Sequence, residues 1–305
     1  MDISYLITIY NKENEIRETI SFIQNQENID SLGIEIVCVD DLSSDNSIKV
    51  LQSLQQEDSR IKIINNQINL GPAKSINIAA KFAKGKYLIP IDGDDFLPID
   101  ATKLLYHSAR KYNSDLVFGI SKRLKTIPQR TTYIAPEEMH KNPLEYVLKN
   151  PIVRMGYLVS RDLWMLSDGA DENVFIQDMS LPLRLAANTE SLVYLNSIIY
   201  YLRQTSDSNL SNNTDQQHHD RFITYLNFLN TYKNHLSKNK LDSYVYSKLI
   251  SSIWKIKRDN SKFSIFSKNF LLYAANKFFK YKLNEEEIIL WHGFFKDLKN
   301  IRRIN

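Results

Sequence analysis

An α/β fold with a mainly parallel sheet, helices on both of its faces and a helical C-terminal region is what three observations predict. Strand-type apolar runs alternate with helical periodicity through the first hundred residues. Those runs are nearly continuous in apolar character, as strands buried on both faces are. Beyond about residue 216 the strand patterns give way to helical ones rich in aromatics. Ile3 to Tyr10 reads as the first strand, after which Ile16, Ile20 and Ile23 recur at helical spacing. Ile34 to Val39 is the second strand. Ser47 to Gln56 is an amphipathic helix packing through Ile48, Leu51 and Leu54, with Ser44 and Asp45 as its cap signal. Arg60 to Asn65 is the third strand. Gly71-Pro72 then opens a helix, because the fixed φ of proline suits a first turn, and Ala73, Ile76, Ala79, Ala80 and Ala83 supply its packing face. Tyr87 to Ile91 is the fourth strand, and Met179 to Ala187 a later helix. Phe222 to Leu229, Tyr244 to Trp254 and Phe270 to Phe279 carry the helical tail. Residues 1–215 and 216–305 are the expected domains.

Composition bounds the class. A chain of 305 residues, 43% hydrophobic and 24% charged, has enough material for one large domain or a domain with an appendage, and is not of a disordered type. Its single cysteine, Cys38, lies in an apolar strand, so it reads as a small buried hydrophobe and no disulfide forms within the monomer. The N-terminus enters a strand at once, without the pattern of a signal peptide, and no run approaches the roughly 18 apolar residues of a membrane span. A cytoplasmic protein is expected. The net charge of +4 is concentrated from Lys255 onward, where basic residues predominate. Basic amphipathic helices with Trp, Phe and Leu suit peripheral contact with an anionic membrane surface, the inner face of the cell membrane for a cytoplasmic protein. A plain helical packing or dimer module with a solvated basic face is the favoured alternative, and no nucleic-acid motif accompanies the charge.

Chemistry concentrates where the fourth strand ends, in Asp92-Gly-Asp-Asp95. Three neighbouring carboxylates repel one another, so a fold keeps them beside a buried strand when hydrogen bonds, lysines or a hard divalent ion offset the repulsion. Magnesium or manganese, held through one or two carboxylates and substrate phosphates, suits that pattern, and an acidic turn capping the next helix is the alternative. Tyr10-Asn-Lys-Glu13 follows the first strand and Asp40-Asp41 the second. Parallel sheets bind ligands beyond the carboxyl ends of their strands, so these loops are expected to converge on a nucleotide or phosphate site. Neither a dinucleotide glycine fingerprint nor a P-loop follows the first strand. Backbone amides alone are therefore not expected to cradle a diphosphate.

Five segments in order carry a resemblance: Thr8-Ile-Tyr-Asn-Lys-Glu13, Val39-Asp-Asp-Leu-Ser-Ser-Asp-Asn-Ser47, Asn69-Leu-Gly-Pro-Ala-Lys-Ser-Ile-Asn77, Asp92-Gly-Asp-Asp95 and Gln177-Asp178. Over roughly residues 1–210 the chain resembles the family 2 glycosyltransferases, inverting enzymes of the GT-A fold, a Rossmann-like sheet, that use nucleotide-activated sugars. The resemblance implies that Thr8, Tyr10, Glu13, Asp41, Lys74, Asp92 and Gly93 line the nucleotide-sugar site. Within it Tyr10, Glu13 and Asp41 would surround a pyrimidine base, most often uracil, and its ribose. Lys74 stands where arginine is usual, a point charge replacing a planar fork. Asp94 is the implied metal ligand, with Asp95 in a supporting or acceptor-side role. Asp178 is the implied general base, with Gln177 beside it, and capping its helix is a compatible role.

Departures accompany the likeness. Thr205 follows Arg203 at about the place where many relatives carry a metal-binding histidine, so Asp207, a water, or a histidine from His218-His219 would have to complete the shell. Those two histidines read better as part of a solvated loop. Leu42 stands where glycine is common. Trp164, in the segment Met155 to Trp164 that resembles an acceptor wall, either stacks on a sugar or packs under the sheet. The expected partners are a nucleotide-sugar donor, most often a UDP-sugar in the family's usage, and a glycan or lipid-linked acceptor of surface polysaccharide assembly, with homo-oligomerisation left open. Two rivals remain: a nucleotidyltransferase on the same fold, which would need a Gly-rich, Arg-containing loop absent around Asn11, and a non-catalytic glycan- or partner-binding relative.

Overall fold

The computed structural model describes residues 1–124, 130, 132–150, 155–203, 213–259, 267–299 and 301–302. Two compact units emerge: residues 1–170 with 181–205, and residues 171–180 with 206–305.

The first unit begins with alternating strands and helices: β1 (Ile3–Ile9), α1 (Ile16–Gln24), β2 (Ile34–Asp40), α2 (Ser47–Glu57), β3 (Ile61–Asn65), α3 (Pro72–Phe82), β4 (Tyr87–Asp92) and α4 (Ala101–Tyr112). Every residue of β1 and β2 is buried, which is why their sequences are mostly apolar without a polar face. Then come β5 (Leu116–Leu124), β6 (Thr132–Tyr133), β7 (Glu138–His140), α5 (Pro143–Lys149), β8 (Tyr157–Ser160), α6 (Arg161–Leu166), α7 (Gln177–Ala187), whose first four residues group with the second unit, and β9 (Leu192–Arg203).

The nine strands of the described residues form one sheet in the order β3-β2-β1-β4-β8-β5-β9-β6, with β7 also pairing β9. The first four strands are parallel, and β8 runs antiparallel between β4 and β5. The expected GT-A-like, mainly parallel sheet with helices packed around it is what the chain forms. Winding proceeds outward from β1 to β3 on one side and resumes at β4 on the other, so the crevice between β1 and β4 is a topological switch point. Register aligns Thr8 with Asp92 and Ile9 with Asp40, bringing these strand ends to one edge.

The second unit contains α8 (Thr214–Lys238), α9 (Asp242–Asp259), α10 (Lys268–Phe279) and α11 (Glu285–Lys296), together with the segment 171–180. Its core joins Phe222 and Phe295, whose rings stack at 4.3 Å, and buries Leu226, Val245, Leu249 and Trp254. α11 begins with a reciprocal cap between Asn284 and Glu287, a signal that its sequence carries but that the aromatic periodicity used for the other helices did not capture. His218 and His219 lie in α8 and not in a solvated loop. His218 is buried and bonds Asp259 at 2.8 Å; burial pushes its pKa down, with Asp259 pulling the other way. Tertiary contacts group the segment 171–180 with these helices. No helix among the described residues is long and apolar enough to cross a membrane.

Candidate active site

At the carboxyl edge of the sheet, the loops after β1 and β2 are laced together. Asn11 Oδ1 accepts from Ser44 N at 2.8 Å, Lys12 N donates to Ser47 Oγ at 2.7 Å, and Glu13 N donates to Asp45 Oδ2 at 3.0 Å. Glu13 Oε2 in turn accepts from Asn46 N and Nδ2, both at 2.8 Å. Glu13 therefore braces the start of α2, and any contact it makes to a nucleotide is made from that braced position. Tyr10, by contrast, is 42% exposed, leaving its ring available as a platform.

Asp41 organises the next turn. Its Oδ1 accepts from Asn66 Nδ2 and Leu70 N, and its Oδ2 from Gly71 N, all at 2.8 Å. A carboxylate has about four acceptor positions, so roughly one remains for a ligand. Gly71 holds φ +81°, a left-handed conformation that glycine adopts without strain, and delivers the chain into α3, where Lys74 occupies the first turn. Leu42 adopts φ +61° as an exposed non-glycine residue, so the departure noted at this position is accommodated by a strained backbone.

The acidic loop after β4 splits by environment. A side chain at Gly93 would put Cβ only 3.0 Å from the Thr8 carbonyl oxygen, a tight contact that glycine avoids where β4 passes close to β1. Thr8 Oγ1 reaches toward Asp92 Oδ1 at 3.5 Å, the long limit of a hydrogen bond. Lys12 Nζ meets Asp94 Oδ2 at 2.5 Å. Burial pulls the Lys12 pKa down, but the Asp94 carboxylate, helped by Glu15 and Asp92, outweighs it and leaves the pKa raised. Asp95 is buried and turned away from this cluster, accepting from Tyr200 OH at 2.9 Å and from Arg203 N at 2.9 Å. Burial, then the neighbouring Asp92 and Asp94, push its pKa well up. Arg203 also donates through Nε to the Asp94 carbonyl and covers the Phe96 ring at 4.1 Å. Asp95 and Arg203 thus latch the acidic loop to β9.

Among the described residues no group of three or more His, Cys, Asp or Glu side chains is assembled around a metal position. Asp94 nonetheless already draws a cation, the Lys12 ammonium, and Asp92 and Asp94 are hard oxygen donors. That set fits the way magnesium binds, through one or two carboxylates with substrate phosphates and water completing the shell. Thr205 and Asp207 lie outside the described residues.

Trp164 is 2% exposed, so it packs and does not offer a face to a sugar. Asp178 sits in the first turn of α7, one residue inside the helix, with the largely buried Gln177 before it. Lys12, Asn66 and Tyr200 were not singled out from sequence. Lys12 had a signal in its place directly after β1, whereas Asn66 and Tyr200 become visible only through partners distant along the chain.

The family model described as Glycosyl transferase family 2 matches residues 4–156. A poly(ribitol-phosphate) beta-glucosyltransferase of Bacillus spizizenii is 33% identical over 142 residues, which are 46% of this chain and 21% of that protein. The aligned region is thus about a fifth of that relative's length. Among solved structures, S. aureus TarS 1–349 in complex with UDP-GlcNAc superposes with a TM-score of 0.69 at 18% identity, covering 90% of this chain and 79% of the other. A mannosyltransferase from Pyrobaculum calidifontis, in complex with GDP-Man and Mn2+, gives a TM-score of 0.59 at 13% identity, covering 96% and 84%. At such identities the superpositions establish the fold.

Proposed function

Because this chain belongs to glycosyl transferase family 2, we propose that it is an inverting glycosyltransferase that moves a sugar from a nucleotide diphosphate donor, a UDP-sugar in the first instance, to a hydroxyl of a glycan or lipid-linked acceptor in surface polysaccharide synthesis. The observation that carries this reading is the meeting of Thr8, Lys12, Asp92 and Asp94 across the β1–β4 switch point, with the Asp41 turn beside it. In this reading Tyr10 and the Asp41 turn hold the base and ribose, and Lys74 and Lys12 supply positive charge for the diphosphate. Asp92 and Asp94 would hold a magnesium or manganese ion, which when bound neutralises charge on the leaving diphosphate. Asp95, Tyr200 and Arg203 keep the acidic loop in place and do not touch substrate.

Asp178 is proposed as the general base. An alcohol is a poor nucleophile at neutral pH, so a carboxylate about 3 Å away must take its proton as the oxygen attacks the anomeric carbon. Attack opposite the departing diphosphate inverts the configuration, and one base suffices without a covalent sugar intermediate.

The test is a panel of uridine, cytidine, guanosine and thymidine sugars with Mn2+, read by thermal stabilisation and by slow nucleotide release. Stabilisation by one donor class, with turnover lowered about 10²- to 10⁴-fold in Asp178→Asn and donor affinity retained, is the expected result. Indifference to every donor would favour a non-catalytic glycan- or partner-binding role. Full activity in Asp178→Asn would move the base elsewhere.

A further inference from the structure

The segment that carries Asp178 is gripped from α8. Asp220, in the second turn of that helix, is fully buried, and a buried carboxylate is costly unless donors saturate it. Here they do. Its Oδ2 accepts from the backbone amides of Phe175 at 3.0 Å and Ile176 at 2.8 Å. Its Oδ1 accepts from Gln216 Nε2 at 2.8 Å and His219 Nδ1 at 2.7 Å. Phe175 and Ile176 immediately precede α7, so Asp220 places a negative charge at a helix start, where exposed amides and the helix dipole favour it.

Further grips surround this one. Asn227, two turns along α8, donates to Asp171 Oδ2 at 2.8 Å, and Asp171 N donates to Ser180 Oγ at 3.2 Å, tying the beginning of the segment to its end. Gln216 Oε1 accepts from Arg302 N at 2.6 Å, and the Arg302 guanidinium lies 5.6 Å from the centre of the Phe175 ring. Pro182 sits inside α7 and, having no N–H, contributes no helical bond back into the first turn. The placement of that turn therefore leans on bonds from outside the helix.

We propose that Asp220 is a positioning residue, whose bonds to Phe175 N and Ile176 N set where α7 begins and thereby where the Asp178 carboxylate is held. The proposal rests on the reading of Asp178 as general base. A displacement near 1 Å of a reacting group costs on the order of 10²-fold in rate, so a loosened helix start lowers turnover while leaving the donor pocket alone.

The experiment measures UDP release by the full chain with Mn2+ and water as acceptor. UDP-glucose, UDP-galactose and UDP-N-acetylglucosamine are tried, and the fastest is carried forward. Asp220→Asn presents an amide donor to groups that are themselves donors. It is expected to lower kcat about 10- to 100-fold per folded molecule, with donor KM within about 3-fold of wild type. Combined with Asp178→Asn it is expected to cause no further loss, because residues acting through one another are not additive. Ile253→Val, in the buried core of the same unit, controls for general destabilisation and should leave kcat unchanged.

An unchanged kcat in Asp220→Asn overturns the proposal, and so does a double variant slower than Asp178→Asn by the full Asp220→Asn factor. Should Asp220→Asn fail to fold, Asn227→Ala replaces it, with a fall of about 3- to 10-fold supporting the proposal and a kcat within 2-fold of wild type overturning it. Wild-type turnover in Asp178→Asn, or no turnover of any donor by the wild type, removes the reading of the base and this proposal with it. An inactive Asp178→Asn beside a fully active Asp220→Asn removes the proposal alone.

Discussion

Replacing Asp41 by Asn tests whether the turn after β3 is built around a charge. The carboxylate is 4% exposed and takes three hydrogen bonds, from Asn66 Nδ2, Leu70 N and Gly71 N. An amide keeps one acceptor oxygen, so if that oxygen stays with Asn66 and Leu70, the new NH2 faces the Gly71 N–H, donor against donor. Losing a bond from an amide to a charged acceptor costs about 1.5–3 kcal/mol, and the two remaining bonds lose their charge assistance, roughly half their strength. The total is about 3–6 kcal/mol. Urea unfolding followed by circular dichroism and by tryptophan fluorescence is expected to shift by that amount, with unchanged helix content at zero denaturant. Donor affinity should fall as well, because the Gly71 turn delivers Lys74 into the first turn of α3. A stability loss below about 1 kcal/mol would refute the argument, since it would mean that the turn holds its shape without the carboxylate.

Three other outcomes are expected. Lys12→Met removes the cation that competes for Asp94, so Mn2+ binding without donor should tighten about 2- to 5-fold, in keeping with a partly exposed ion pair; unchanged or weaker binding by calorimetry would refute the competition. Glu35 is buried beneath the sheet edge opposite the site, and although burial raises its pKa, bonds from Lys62, Ser4 Oγ and Lys84 N outweigh this and leave the pKa lowered. Its contribution is present above the unfolded value near 4.5 and is lost as pH falls through the folded value, so Glu35→Gln should flatten the acid side of the stability profile, whereas an unaltered slope between pH 5 and 3 would contradict the assignment. In the tail, Leu271, Phe279, Ile289 and Leu290 are exposed. Loss of sedimentation with anionic liposomes on deletion after residue 215 supports a membrane contact, and no difference from the full chain leaves packing or a partner protein as their use.

The first four strands and three helices were legible because each obeys a local rule. Continuous burial of Ile3–Ile9 and Ile34–Asp40 favours apolar runs, α3 announces itself by Gly71-Pro72, and the close approach at Thr8 favours a residue without a side chain at Gly93. Thr8, Asp41 and Asp92 to Asp95 were legible for a related reason: parallel strands end at one edge, so polar residues that follow apolar runs collect there.

The sequence by itself therefore determined the α/β class, the family and the acidic edge of the sheet. Tertiary structure alone decided how each polar group is used. Trp164 is packed, Asp95 is latched to Tyr200 and Arg203, Asp94 is paired with Lys12, and Asp220 holds the amides ahead of Asp178. The physical reason is that burial and hydrogen bonding depend on partners such as Asp95 and Tyr200, which lie 105 positions apart. Local periodicity reports which face of an element is apolar, and carries no information about which distant donor arrives to meet a carboxylate.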